Sequence, residues 1–340
     1  MTNSGKRVTR ADVAKYANVS ETVVSYVMNN NRYVIEDKRK RVEEAIRVLQ
    51  YRPNNVARAL KGKQSNQIIF IADQITNEYF SRIVSEMDKY AYEKGYLISL
   101  CANRNTPEFV SQVISRQYDG IIVSSTSFPE EYVQQFVEAN IPLVLFMNRQ
   151  YNNIPKNVGI IDAGLYSGAR DCVKYLISKG RRHILYIDRI SSRGSKSTMD
   201  DLRLRGFVEQ MKESNLEFTE DNIIAGSFTE EQVESEIINR IKNGLKVDAI
   251  FGRNDMLACV AMSAIKKMNL KVPQDIAVIG FDNSLLSRFS DPKLTTMEMQ
   301  REEISRAAIE MLQRMIEGKE GALNAAFKTN LIRRESTGDI

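Results

Sequence analysis

Between positions 67 and 281 of this 340-residue chain, short apolar runs alternate with stretches of helical periodicity. The runs fall at 68–72, 97–102, 120–124, 143–147, 158–161, 184–187, 249–252 and 277–281, with helical patterns near 79–94, 164–179 and 256–268. This rhythm builds parallel strands joined by crossover helices, because a parallel pair needs a long connection and both sheet faces must be covered. Eight such strands are expected to divide into two doubly wound halves, an α/β core of two Rossmann-like subdomains. Ligands of open α/β sheets sit beyond the carboxyl ends of the strands, which puts the expected site in a cleft between the halves.

The first fifth of the chain reads differently. Residues 1–63 hold 14 Lys and Arg against 6 Asp and Glu, a net of +8, while the whole chain carries only +5. All of the positive excess therefore lies in a small module, the asymmetry expected of a segment that meets a polyanion. Thr9-Arg10-Ala11-Asp12 has the form of a capping box, with Asp in place of the usual Glu, and opens a helix with Val13, Ala14 and Ala17 on one face. After a break at Ala17-Asn18-Val19, Ser20 caps a second helix at 21–28 that turns Val24 and Val27 inward. A third, at 36–49, completes a helix-turn-helix headpiece with Val42, Ala45, Ile46 and Leu49. The second helix would enter the major groove, with Glu21, Thr22 and Tyr26 facing base edges. Thr9, Ser20, Ser25 and Asn29 are short hydrogen-bonding side chains suited to phosphates. Pro53 then stops any continuous helix, and Asn54 can cap a short one ending near Leu60. Such a helix is marginal in water and is expected to form when DNA and a partner copy complete it.

Several classes are disfavoured. No apolar run approaches the roughly 18 residues of a membrane span, and the polar, basic start does not read as a secretory signal, so a cytoplasmic protein is expected. Cys101, Cys172 and Cys259 are isolated, and His183 is the only histidine, in a turn before an apolar run. Neither a zinc site nor a disulfide framework fits, and all four residues read as structural. No phosphate-binding glycine loop or nucleophile elbow is present, so the chain is not expected to be an enzyme, and no cofactor is expected.

These segments resemble the LacI/GalR family of transcription regulators. The likeness rests on Asp12-Val13-Ala14, Val19-Ser20, Thr22-Val23-Val24-Ser25, Tyr51-Arg52-Pro53-Asn54 and Ala57-Arg58-Ala59-Leu60. It continues through Tyr118-Asp119-Gly120, Arg203-Leu204-Arg205-Gly206-Phe207, Asn254-Asp255, Val272-Pro273-Gln274-Asp275, Gly280-Phe281-Asp282-Asn283 and Pro292-Lys293-Leu294-Thr295-Thr296, and so covers nearly the whole chain. It implies a helix-turn-helix domain at 1–50, a hinge helix and linker at 51–66, and a periplasmic-binding-protein-like effector and dimerisation domain at 67–340. The hinge helix would lie in the minor groove, with Asn54, Ala57, Arg58, Leu60 and Lys61 on DNA and Leu60 as the wedge. Effector contacts would fall on Tyr79, Phe80, Arg149, Arg203, Phe228, Asn254 and Asp282. For three of these residues a plainer role stands beside that one. Phe80 is suited to the core, Arg203 to a helix surface and Asn254 to a helix cap, while the loop at 189–198 reads as a surface loop able to meet an anion. The family further implies a repressor of carbohydrate or related metabolic genes that binds a palindromic operator as a homodimer. A small effector, whether a sugar, a sugar phosphate or a nucleobase-like molecule, would control it. Control mainly by a protein partner, such as a phosphocarrier, is the alternative. Tyr26 stands where many members carry a guanine-reading arginine, Val23 where threonine is usual, and Glu78 where many have proline, so operator and cleft entrance are expected to depart from the common pattern.

Overall fold

The computed structural model describes residues 8–30, 32–52, 64–76, 78–191 and 194–339. The chain forms two compact units, Met1–Ser65 and Asn66–Ile340. In the smaller, α1 (Arg10–Ala17) starts at the expected box: the Thr9 hydroxyl accepts from the Asp12 N–H, and the Asp12 carboxylate accepts from the Thr9 N–H at 2.8 Å. Asn18, in the left-handed region at φ 50°, ends it. Ser20 caps α2 (Glu21–Asn29) through the Val23 N–H, and α3 (Glu36–Val48) follows. Small or β-branched residues (Val13, Ala14, Ala17, Val24, Val27, Val34, Val42 and Ala45) fill the space between the three helices and let them approach closely.

The larger unit contains two six-stranded sheets. The first has the order β11-β5-β4-β3-β1-β2. It comprises β1 (Gln67–Ala72), β2 (Leu97–Ala102), β3 (Gly120–Ser124), β4 (Leu143–Phe146), β5 (Gly159–Asp162) and β11 (Asn324–Ala326), all parallel. The second, in the order β12-β10-β9-β8-β6-β7, comprises β6 (Ile184–Ile187), β7 (Ile223–Ile224), β8 (Ala249–Gly252), β9 (Ala277–Phe281), β10 (Thr295–Met299) and β12 (Thr329–Ile332). The expectation of eight parallel strands is thus corrected to twelve among the described residues, and β12 runs antiparallel to β10. The four additional strands are short or carry polar residues, so they offer no apolar run.

Helices α4 (Glu78–Glu93), α5 (Pro107–Ser115), α6 (Glu130–Glu138) and α12 (Arg301–Ile316) belong to the first half. The second half holds α7 (Leu165–Ser178), α8 (Leu202–Glu213), α9 (Glu230–Lys242), α10 (Asp255–Lys267) and α11 (Leu285–Phe289). The chain passes between halves at 163–164, at Gln300 and at 327–328. Two of these passages touch. Gly164 has φ 77°, and a Cβ on it would lie 2.6 Å from the Phe327 carbonyl oxygen, while the Phe327 N–H donates to the Asp162 carbonyl at 2.8 Å. Glycine is required there both by backbone conformation and by this close approach.

Candidate nucleic-acid interface and ligand cleft

In the smaller unit, α2 turns Val24 and Val27 into the core, which leaves Glu21, Thr22 and Asn29 exposed and Ser25 and Tyr26 half-buried along its outer side. Thr9 and Ser20 act first as caps, and the Asn29 amide donates to the Ser25 hydroxyl at 3.1 Å. The expected hinge contacts, Asn54, Ala57, Arg58, Leu60 and Lys61, lie outside the described residues.

In the larger unit the carboxyl ends of both sheets converge on the cleft. After β9, Asp282 is buried, with φ 107°, and accepts from Arg203 Nη2 at 3.0 Å. The Arg203 guanidinium also lies 4.4 Å from the centroid of the Phe281 ring. Arg301 Nη1 holds the Asp282 carbonyl at 2.6 Å. Burial pushes the Asp282 carboxyl up to about 7 against the pull of Arg203, with the nearby Asp255 adding to the rise. The Arg203 side chain is therefore a buried partner in the cleft rather than a helix-surface residue, and its Nε has no hydrogen-bond partner.

A second buried set escaped sequence reading. Arg253, directly after β8, donates to Asp188 after β6 at 3.2 Å and to Asp201 at 2.7 Å. Asp201 also caps α8 through the N–H groups of Arg203 and Leu204, each at 3.1 Å. Burial alone would raise the Asp201 carboxyl, but the charge and hydrogen bond of Arg253 bring it below its ordinary value. Burial likewise opposes the Arg253 charge, and Asp201 and Asp188 outweigh it. Ser197 closes the set, donating to Asp188 from its N–H at 2.8 Å and its hydroxyl at 2.7 Å.

The facing half is built from neutral donors around one carboxylate. Asp73, after β1, accepts from the Ser125, Thr126 and Ser127 hydroxyls and from the Thr126 N–H. The Asn103 amide reaches Ser125 at 3.2 Å, and the Asn105 amide reaches Ser127 at 2.9 Å. Several bonds span the cleft. Arg189 donates to Thr126, Arg149 pairs with Asp200, the Gln74 amide donates to the Ile190 carbonyl at 3.3 Å, and Glu78 accepts from the Leu285 N–H at 2.9 Å. The glutamate found in place of the family's usual proline therefore ties α4 to α11. A surface hollow of about 450 Å³ lies at the opposite strand ends, lined by Val137, Pro142, Met315 and Leu323, and shares none of these residues.

The expected effector residues thus fall into separate groups. Arg203 and Asp282 meet in the cleft. Tyr79 is buried in the core with its ring 5.1 Å from that of Phe80, and Phe80 packs in turn on Phe70. Desolvation pushes the Tyr79 phenol well above its ordinary range. Arg149 is held by Asp200 and lies over the Tyr151 ring. Asn254 caps α10, its side-chain oxygen accepting from the Leu257 N–H at 2.9 Å. Phe228 is exposed and lies against Gly194. The backbone of His183 joins the turn to Asp248: its N–H donates to the Asp248 carboxylate at 2.9 Å and its carbonyl accepts from the N–H groups of Asp248 and Ala249. No helix among the described residues is long and apolar enough to cross a membrane.

Known proteins are similar to this chain in sequence and fold. Residues 9–54 match the model of bacterial regulatory proteins of the lacI family, and residues 173–337 match a periplasmic binding protein-like domain. The HTH-type transcriptional repressor PurR of Histophilus somni (strain 2336) is 33% identical over 331 residues, which is 95% of this chain and 97% of that protein. Among solved structures, the lac repressor dimer bound to operator and the anti-inducer ONPF is 26% identical, with a TM-score of 0.81 over 98% of this chain and 99% of that one. A periplasmic binding protein/LacI transcriptional regulator from Alkaliphilus metalliredigens QYMF, complexed with D-xylulofuranose, is 29% identical. Its TM-score is 0.67, over 81% of this chain and 100% of that one.

Proposed function

Since this chain belongs to the LacI family of bacterial regulatory proteins, we propose that it is a ligand-responsive transcriptional repressor that grips a palindromic operator as a homodimer. The observation that carries the reading is the capped α1–α2 pair, set in the segment that holds all of the chain's positive excess. In this reading α2 enters the major groove, Glu21, Thr22 and Tyr26 face base edges, and Thr9, Ser20, Ser25 and Asn29 meet phosphates. Asn54, Ala57, Arg58, Leu60 and Lys61 add the minor-groove contacts, with Leu60 as the apolar wedge. Leu285, Leu286 and Phe289, exposed on α11, support self-association, because a soluble monomer seldom leaves such side chains clustered in water. The division into 1–50, 51–66 and 67–340 follows the same reading, and the cytoplasm is where such a protein meets its operator.

The effector is a small polar molecule, a sugar, sugar phosphate or nucleobase-like compound, held in the cleft. Asp282 accepts from its hydroxyl or ring N–H groups, and Arg203 supplies fixed donors. Arg149 and Phe228 would border the same space, whereas Tyr79 and Phe80 are taken up in packing and Asn254 in capping α10, so their part in ligand binding is at most indirect. The ligand acts on DNA only to the extent that it binds the two cleft geometries with different affinity. Two measurements test the reading. Affinity for a palindromic duplex should fall steeply between low and moderate salt as counterions are released, and calorimetry should find a compound of one of these classes that changes that affinity. A salt-independent affinity would sink the DNA assignment.

A further inference from the structure

The reading helix departs from its family at Tyr26, and the structure places another residue's guanidinium at that position. Just beyond α2, Asn30 takes the left-handed conformation at φ 48°. The Asn30 side chain accepts from Arg39 Nη2 at 3.2 Å, which ties the turn to α3, and Val34 is buried in the core just after it. Between these anchors Arg32 lies beside Tyr26. Its Nη1 is 3.3 Å from the phenol oxygen, and its guanidinium carbon is 5.2 Å from the ring centroid. On α3, Arg39, Lys40, Arg41 and Arg47 each pair with a carboxylate of the same helix.

Resting on the repressor reading, we propose that Arg32 is an operator-specificity residue that reads one base edge together with Tyr26. The chemistry selects the base. A guanidinium has five donors and no acceptor. By donating to the phenol oxygen it occupies the acceptor side of Tyr26 and leaves the phenol O–H to point outward. The pair therefore presents donors only. In the major groove guanine offers two adjacent acceptors, N7 and O6, whereas adenine sets a donor beside N7, thymine offers one acceptor beside a methyl group, and cytosine offers a donor. Guanine is the base that fits. The arginine missing from position 26 is thus supplied from position 32, with the Tyr26 ring as a platform that restricts the guanidinium.

The test is operator selection from a randomised palindromic duplex pool with the full-length protein, followed by affinity measurements on single-base variants. The unaltered protein should enrich a guanine at one position of each half-site. Arg32→Ala should lower the preference for that guanine by roughly ten- to a hundredfold and leave other positions unchanged. Tyr26→Phe, which keeps the ring and removes only the hydroxyl, should weaken preference at the same position, and the double variant should be no worse than Arg32→Ala alone. A uniform loss across all sequences, with a shallower salt dependence, would make Arg32 a phosphate contact and overturn the proposal. Unchanged base preferences would overturn it as well, while leaving the repressor reading intact. If the unaltered protein enriched no sequence at all, both would fall.

Discussion

The two halves of the cleft solve the same problem with different chemistry. The first half gathers serine and threonine hydroxyls and one backbone N–H around a single carboxylate, Asp73, with Asn103 and Asn105 bonded to those serines. The second buries its carboxylates against arginines: Asp188 and Asp201 on Arg253, and Asp282 on Arg203. Hydroxyl rotors exchange partners at little cost, so the first half can re-form its bonds around an incoming ligand. A buried ion pair tolerates little rearrangement, because separating it leaves a desolvated charge. In the proposed reading the second half would set the position of a ligand and the first would adapt to it.

This contrast can be broken most severely at Arg253. Arg253→Ala strands two buried carboxylates and should cost about 3–5 kcal/mol of stability in urea unfolding. A loss below about 1 kcal/mol would mean that water replaces the guanidinium and that the second half is not rigid. Asp73→Asn is the matching test of the first half. It sets an amide donor among hydroxyl donors that can rotate away, so the expected loss is smaller, about 1–3 kcal/mol; if it equalled that of Arg253→Ala, the halves would not differ in kind. The mildest test uses pH. Asp282 titrates near 7 in the fold and near its ordinary 3.8 when unfolded, so between those values the folded state binds the extra proton, and stability falls as pH rises through the interval. Asp255, raised by burial to about 6, adds a fall of the same sign. Melting temperatures at about pH 5 and about pH 8 should therefore differ less in Asp282→Asn than in the unaltered protein. Equal differences would show that Arg203 keeps Asp282 ionised throughout.

Much of this arrangement can be read from the chain, where local chemistry decides it. Thr9 with Asp12 and Ser20 before Glu21 mark both helix starts of the reading unit, since a cap acts over a few residues. The apolar runs at 120–124, 184–187, 249–252 and 277–281 coincide with strands because buried parallel strands are apolar on both faces. Thr295–Met299 and Thr329–Ile332 gave no such signal: each carries polar residues, and their pairing joins positions about 30 or more residues apart. The Asp188–Asp201–Arg253 set was hidden for a related reason, because it exists only once β6 and β8 lie side by side. One signal was available. Asp188 and Arg253 each follow an apolar run directly, as Asp282 does, and the end of a parallel strand is where an α/β fold places its working side chains. The ring of Tyr79 and the helix-end position of Asn254 show the reverse limit, since a residue of the right type at the right place is also needed for packing or capping.

The contact between Gly164 and the Phe327 carbonyl has a mechanical consequence. Connections this short, laid against each other, let one lobe swivel on the other but resist sliding, so they act as a pivot. Asp282 is tethered through its carbonyl to Arg301, just past the connection at Gln300. About such a pivot, a small displacement beside Asp282 would grow with distance along the lobe and be greatest at its far rim.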